Sequence, residues 1–224
     1  MADYTEYFMH CPSDTNYVSG DYRSEYCQKL FQEADVVVTN PPFSLFRDFV
    51  ATLEKNNLKY IIMGNMNAIT YKEIFPLMKA NKLFWGASLR GTKCSFKILD
   101  DYEGNNVFKE NNQRYAKVNN AIWFTNMDLQ RHHENLILTQ NYDPQKYPKY
   151  DNYDAIEVSK VKDIPMDYDE VMGVPITFLE KYNPDQFEII KFRKGDDDKD
   201  LALTVSGKTK YPYFRILIRK KLTT

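Results

Sequence analysis

The chain has 224 residues, enough for one domain or one and a half with a core of its own. Its 30 basic and 31 acidic residues leave a net charge of −1, which excludes a non-specific, charge-driven nucleic-acid binder; a specific enzyme has to confine positive potential to one cleft. No window approaches the ~18 apolar residues of a membrane span, and the N-terminus has no basic signal region. Cys11, Cys27 and Cys94 show no paired spacing, so the expectation is a soluble cytoplasmic protein with reduced thiols and no membrane partner.

Residues 1–19 lack periodicity and read as a loop or one short strand. Arg23 to Glu33 is an amphipathic pattern with Tyr26, Leu30 and Phe31 inward and Ser24 placed to cap it. The apolar, β-branched run Ala34 to Val38 predicts a buried strand that stops at Asn40-Pro41-Pro42-Phe43. After Phe43, Ser44 is placed to cap a helix to about Asn56, with Phe46, Phe49, Val50 and Leu53 at helical spacing. Lys59 to Gly64 is a second strand, ending at Asn65, and a helix follows from about Tyr71 to Asn81, where Pro76 predicts a kink or two short helices. Two strand-then-helix units predict an α/β fold with a parallel sheet whose sites lie at the strands' C-terminal ends, where both Asn40 and Asn65 fall.

From Leu83 the pattern changes to short segments, 83–86, 95–99, 121–125 and 136–139, expected as antiparallel strands. Asp100 to Lys117 reads as a hairpin or a mobile loop. Arg131-His132-His133 has no carboxylate or cysteine at ligand spacing, so no metal site is assigned. Asn141 to Asp154 carries four tyrosines and reads either as an arm along nucleic acid or as a packed loop; it sets a soft division between residues 1–140 and 141–224. Pro175 is placed to open a helical turn through Tyr182, and Phe187 to Phe192 is a strand. Gly195 to Asp200 lacks calcium-loop spacing and reads as a solvated turn. The last strand, Tyr213 to Arg219, leads Arg215, Arg219, Lys220 and Lys221 into a small positive cluster, which reads either as a phosphate contact or as an ordinary basic stretch.

Asn40-Pro41-Pro42-Phe43 is where chemistry is expected; the plain alternative is that the two prolines end the strand and Phe43 belongs to the core. The prolines have no N–H and a fixed φ, so the turn is stiff and the carbonyls of Asn40 and Pro41 point outward. An exocyclic amino group on a planar ring suits this arrangement. The Asn40 side-chain oxygen and the Pro41 carbonyl each accept one of its hydrogens while Phe43 stacks on the ring. Accepting both hydrogens pushes electron density to the nitrogen, so catalysis by positioning and electrostatics needs no ionised base.

The order Asn-Pro-Pro-Phe resembles the amino-methyltransferase signature that follows a strand and precedes a helix. With Gly20-Asp21-Tyr22-Arg23-Ser24, the run Val36 to Arg47, Asn67 to Pro76, Trp123-Phe124-Thr125-Asn126, Val171 to Leu179 and Tyr182 to Phe187, the chain resembles the EcoRI-type adenine-specific DNA methyltransferases over nearly its whole length. The resemblance implies a Rossmann-like S-adenosylmethionine methyltransferase sheet, incomplete at its N-terminal side, with an irregular C-terminal recognition region. It implies site-specific methylation of N6 of a flipped-out adenine in double-stranded DNA, within a restriction-modification system. Asn40, Pro41, Pro42 and Phe43 would be the catalytic residues; the Asp21 carboxylate would take a hydrogen bond from the cofactor's adenine, with the Tyr22 ring beside it. By spacing alone, Gly20-Asp21 also reads as a plain turn.

The chain departs from that family at one point: its eight glycines are scattered, and no Phe-x-Gly-x-Gly loop follows a strand. The expectation is a fragment, a truncated product or half of a two-chain enzyme, whose missing N-terminal segment or partner chain supplies that loop. Two further readings stay open: a remnant that binds DNA or a partner without turnover, and methylation of a protein glutamine amide.

Overall fold

The computed structural model describes residues 13–18, 20–88, 95–104, 106–117 and 120–221; Cys11, Cys94 and most of the first nineteen residues lie outside them. The chain enters at Gly20, whose φ of +81° makes a turn that places Ser24 as the cap of α1 (Glu25–Glu33). The Ser24 hydroxyl accepts the Cys27 N–H at 3.3 Å. Strand β1 (Val36–Thr39) then runs parallel to β2 (Lys59–Asn65), with Thr39 opposite Ile62.

Between them a 3-10 turn, Phe43–Leu45, leads into α2 (Phe46–Lys55), which buries Phe46, Phe49, Val50 and Leu53 on the sheet. Ser44 is therefore not the cap that its position suggests. Helical geometry begins directly after Pro42, so Ser44 sits inside the turn and Leu45 occupies the cap position of α2 without a side-chain bond. The helix expected over 71–81 also shrinks. It becomes the five-residue α3 (Phe75–Lys79) after a 3-10 segment, Met66–Thr70, because Pro76, which has no N–H to donate, is tolerated in a first turn and starts the helix there.

Five strands follow: β3 (Phe84–Ser88), β4 (Ser95–Lys97), β5 (Val107–Glu110), β6 (Gln113–Lys117) and β7 (Ala121–Thr125). The first sheet has the order β1-β2-β7-β3, with β7 antiparallel to both neighbours. The polar stretch before β7 is the hairpin of the two alternatives: Asn111 and Asn112 sit at φ 49° and 62°, the type I′ geometry of a two-residue connection, and β4-β6-β5 form a small sheet. No strand forms at 136–139. The Gln186 side chain satisfies Leu136 instead, accepting its N–H at 2.7 Å and donating to its carbonyl at 2.8 Å.

One further expectation is corrected: β1 is not buried. Its only strand partner among the described residues is β2, and Val36 and Val38 are 39% and 64% exposed. An apolar, β-branched run marks a strand but does not say that its outer side is covered.

The second sheet is antiparallel apart from one parallel edge pair. Strands β8 (Ile156–Glu157), β9 (Met172–Pro175), β10 (Phe187–Phe192) and β13 (Arg215–Lys220) take the order β10-β13-β9-β8, and a hairpin of β11 (Leu203–Val205) and β12 (Lys208–Lys210) stands beside them. The turn of that hairpin, Ser206-Gly207, has positive φ at both residues. A single apolar cluster joins both sheets, from Phe46, Ile62 and Phe124 to Phe178, Phe187 and Ile218. Tyr182 donates to the Asn81 side-chain oxygen at 2.7 Å, and Lys79 donates to the Ile190 carbonyl at 2.7 Å across the same junction. The Tyr-rich stretch 141–154 is a packed loop, with Tyr147 and Tyr150 buried. Among the described residues no helix is long and apolar enough to cross a membrane.

Candidate active site

The turn after β1 is built from the burial of one proline and the exposure of its neighbours. Pro41 is buried and anchors the chain, while Asn40, Pro42 and Phe43 face outward, Phe43 being 41% exposed. Pro42 at φ −56° and ψ 126° carries the backbone from strand into the 3-10 turn. The Asn40 side-chain amide and the Pro41 carbonyl have no hydrogen-bond partner among the described residues, and the exposed Asn40 amide is open to a ligand.

The turn is held from below by α2. Phe46 packs on Phe124 of β7 with ring centroids 5.0 Å apart. It reaches the sheet only because β2 has Gly64 there: a Cβ at that position would stand 2.4 Å from the Phe46 ring. That buried ring lies three positions after Phe43, so the glycine indirectly sets where the exposed ring stands.

Asp21 and Tyr22 lie just before α1 and reach the same region through α2, since the Tyr22 ring meets Phe49 edge-on at 4.9 Å. The Asp21 carboxylate is already engaged by Arg23, which donates from its backbone N at 2.9 Å, from Nε at 2.9 Å and from Nη2 at 2.7 Å. These bonds pull its pKa down to about 2. Three of about four lone-pair sites are used, leaving room for one more donor. Partial burial raises the Tyr22 hydroxyl pKa. Asn65, at the end of β2, is spent on structure: its side chain caps the following turn by accepting the Asn67 N–H at 2.9 Å.

The basic cluster at the C-terminus does not form as a phosphate site. Arg215 is paired with Glu157, Arg219 with Glu188 at 2.9 Å, and Lys220 with Asp169 at 2.8 Å, so opposite charges already meet three of the four; Lys221 is exposed. Strand pairing brought these acids in from distant segments, which local charge reading does not see. His132 is buried and stacked on Phe84 at 4.2 Å, and His133 lies between Asp185 and Asp128. No cluster able to hold a metal ion exists among the described residues.

Residues 13–221 match the family model described as "Adenine-specific methyltransferase EcoRI". The chain belongs to this EcoRI methyltransferase family. It is 51% identical over 207 residues to the Type II methyltransferase M.EcoRI of Escherichia coli, an alignment covering 90% of this chain and 62% of that protein. It is 36% identical to the Type II methyltransferase M.MgeORF184P of Mycoplasma genitalium, over 91% of this chain and 70% of that one. With the Type II methyltransferase M.MpnI of Mycoplasma pneumoniae the identity is 40%, over 77% of this chain and 56% of that protein. The chain thus spans roughly three fifths of the length of these relatives. No solved structure matches it.

Within this family member, one group of residues at the same end of the first sheet carries no local sequence signal. Asn67, Asn120, Thr177 and Tyr213 line a cavity of about 240 Å³ between the two sheets. They come from four separate segments, so only the fold assembles them.

Proposed function

We propose that this chain is the catalytic and recognition portion of an S-adenosylmethionine-dependent DNA methyltransferase acting on N6 of adenine, in a restriction-modification setting. The observation that carries the reading is the Asn40–Phe43 turn: two unused acceptors and an exposed ring at the C-terminal end of a parallel strand, in a member of a family described as adenine-specific methyltransferases. The target adenine is swung out of the duplex, since a paired and stacked amino group cannot reach the turn. Phe43 stacks on the base. The Asn40 side-chain oxygen and the Pro41 carbonyl accept the two amino hydrogens, aim the nitrogen and raise its electron density without an ionised base. Pro42 keeps the turn in that shape.

The methyl donor fits in part. S-adenosylmethionine supplies an electrophilic methyl group, and the chain's own contribution is to its adenosine end, through the remaining acceptor of Asp21 and the ring of Tyr22. In this reading residues 1–140 carry the chemistry on a Rossmann-like sheet and residues 141–224 carry DNA recognition. The glycine-rich loop for the methionine end comes from protein outside these residues, and its place is beside β1, whose outer edge has no strand partner among the described residues and whose Val36–Val38 face is exposed.

Two measurements test the reading. S-adenosylmethionine is titrated calorimetrically into the 224-residue chain, and radiolabel transfer to duplex DNA is measured with the complete protein. Asn40→Ala is expected to abolish transfer while leaving the fold intact; substantial methylation by that variant sinks the mechanism.

A further inference from the structure

A cavity of about 240 Å³ lies between the sheets, apart from the Asn40–Phe43 turn. We propose that it takes one nucleobase of the substrate strand next to the target adenine, stacked on Tyr213 and read by Asn67, Asn120 and Thr177. This inference rests on the DNA methylation reading above.

Position comes first. None of the residues lining the cavity belongs to Asn40–Phe43, so it is not the place proposed for the target adenine. It is nevertheless close. Thr39 pairs with Ile62, and Asn65 lies three residues farther along β2, so the two strand ends are about 11 Å apart from strand spacing and rise. At ~3.4 Å per base step along a strand, that spans about three nucleotides. The first sheet contributes Asn67 and Asn120, linked by a bond from the Met66 N–H to the Asn120 carbonyl at 2.7 Å. The second sheet contributes Thr177, just past β9, and Tyr213, just before β13, whose ends are joined by the Arg215–Pro175 pairing.

Size and chemistry agree with a single base. About 240 Å³ is below the ~300–1,000 Å³ of clefts for drug-sized ligands, and it suits one planar group. The side chains of Asn67, Asn120 and Thr177 have no hydrogen-bond partner among the described residues. They offer both donors and acceptors, as reading a base edge requires.

Tyr213 is presented rather than packed. It is 70% exposed, yet its place is secured: Arg215 Nη1 donates to its carbonyl at 2.7 Å, and its ring lies 4.1 Å from that of Phe214. Phe214 is backed by the Arg193 guanidinium at 4.9 Å and by Phe192 at 6.0 Å. Phe214 also has a φ of 29° and Arg193 one of 62°, backbone angles that non-glycine residues adopt at a cost. Two aromatic rings, a guanidinium and a strained backbone hold one tyrosine out at the rim. A stacking platform for a base needs a ring fixed in this manner.

The test uses the complete protein and duplexes carrying the methylation site, with an abasic residue substituted at each non-target position in turn. The wild-type protein is expected to lose affinity about 5- to 140-fold at one position within three nucleotides of the target adenine, the worth of one base–aromatic stack. Tyr213→Ala is expected to lose the same factor on the intact duplex and to show no further loss at that position alone. Tyr213→Phe keeps the wild-type pattern, and Asn67→Ala relaxes discrimination among the four bases there. Because Tyr213 is exposed, unchanged melting of the alanine variant excludes misfolding as the cause. Wild-type affinities for every duplex in Tyr213→Ala overturn the proposal, and so does an equal loss at all positions. Failure of the wild-type protein to methylate any DNA overturns the functional reading itself, which is a separate outcome.

Discussion

Arg215 and Glu157, 58 residues apart, form a buried two-pronged ion pair: Arg215 Nε lies 3.0 Å from each carboxylate oxygen and Nη2 lies 2.6 Å from Oε1. Tyr150 donates its hydroxyl to the same carboxylate, and Glu157 is only 5% exposed. Burial beside this carboxylate pushes the Tyr150 hydroxyl far above its ordinary pKa.

Removing one partner leaves the other charge buried. Arg215→Met is therefore expected to cost about 3–5 kcal/mol of stability in denaturant unfolding. Arg219→Ala, which breaks the exposed pair with Glu188, is expected to cost about 0.2–1 kcal/mol. Equal small losses would show that water reaches the Glu157 site.

Gly64→Ala places a methyl group 2.4 Å from one edge of Phe46 and 2.9 Å from Phe124. Overpacking of this kind costs about 1–3 kcal/mol. Since α2 has to move to accept the methyl group, methyl transfer should fall together with stability. A variant that loses stability but keeps full turnover would show that Phe43 is positioned independently of Phe46.

Phe43→Ala removes the proposed stacking face but little of the core, because the ring is 41% exposed. The expectation is a loss of about 1–3 kcal/mol in capture of the flipped base, read as weaker methylation of normal duplex at unchanged melting temperature. Phe43→Tyr should retain most activity, because the aromatic face is kept.

Asp21→Ala is expected to weaken S-adenosylmethionine binding roughly 10- to 100-fold, the worth of one hydrogen bond to a charged group. The Arg23 bonds hold the Asp21 pKa near 2, so the carboxylate stays ionised above about pH 4 and binding should not vary with its titration near neutrality. Unchanged affinity in a calorimetric titration would return Asp21 to the role of a turn residue.

His133 supplies the pH dependence. Asp185 and Asp128 raise its pKa above the ordinary value, so the folded state holds the proton more tightly than the unfolded chain. Its stabilisation is fully present below the unfolded pKa of about 6.5 and is lost as pH rises through the higher folded value. The melting temperature of wild type minus that of His133→Gln should therefore be positive at acid pH and shrink toward zero on the alkaline side. Buried His132 has its pKa lowered and works in the opposite sense, but it is present in both proteins and cancels in the difference.

By itself the sequence determined what short-range physics controls. The two prolines marked the turn, the spacing of Phe46, Phe49, Val50 and Leu53 marked α2, and two strand-then-helix units placed Asn40 at a strand's C-terminal end. Tertiary structure decided whatever depends on distant partners. Which side of β1 is covered, which acids neutralise Arg215, Arg219 and Lys220, and why Leu136 needs no strand neighbour all turn on residues far away in sequence. The cavity under Tyr213 is the clearest case. Its polar groups lie in two short 3-10 turns and two connecting segments, and only the docking of the second sheet on the end of the first brings them to one cavity.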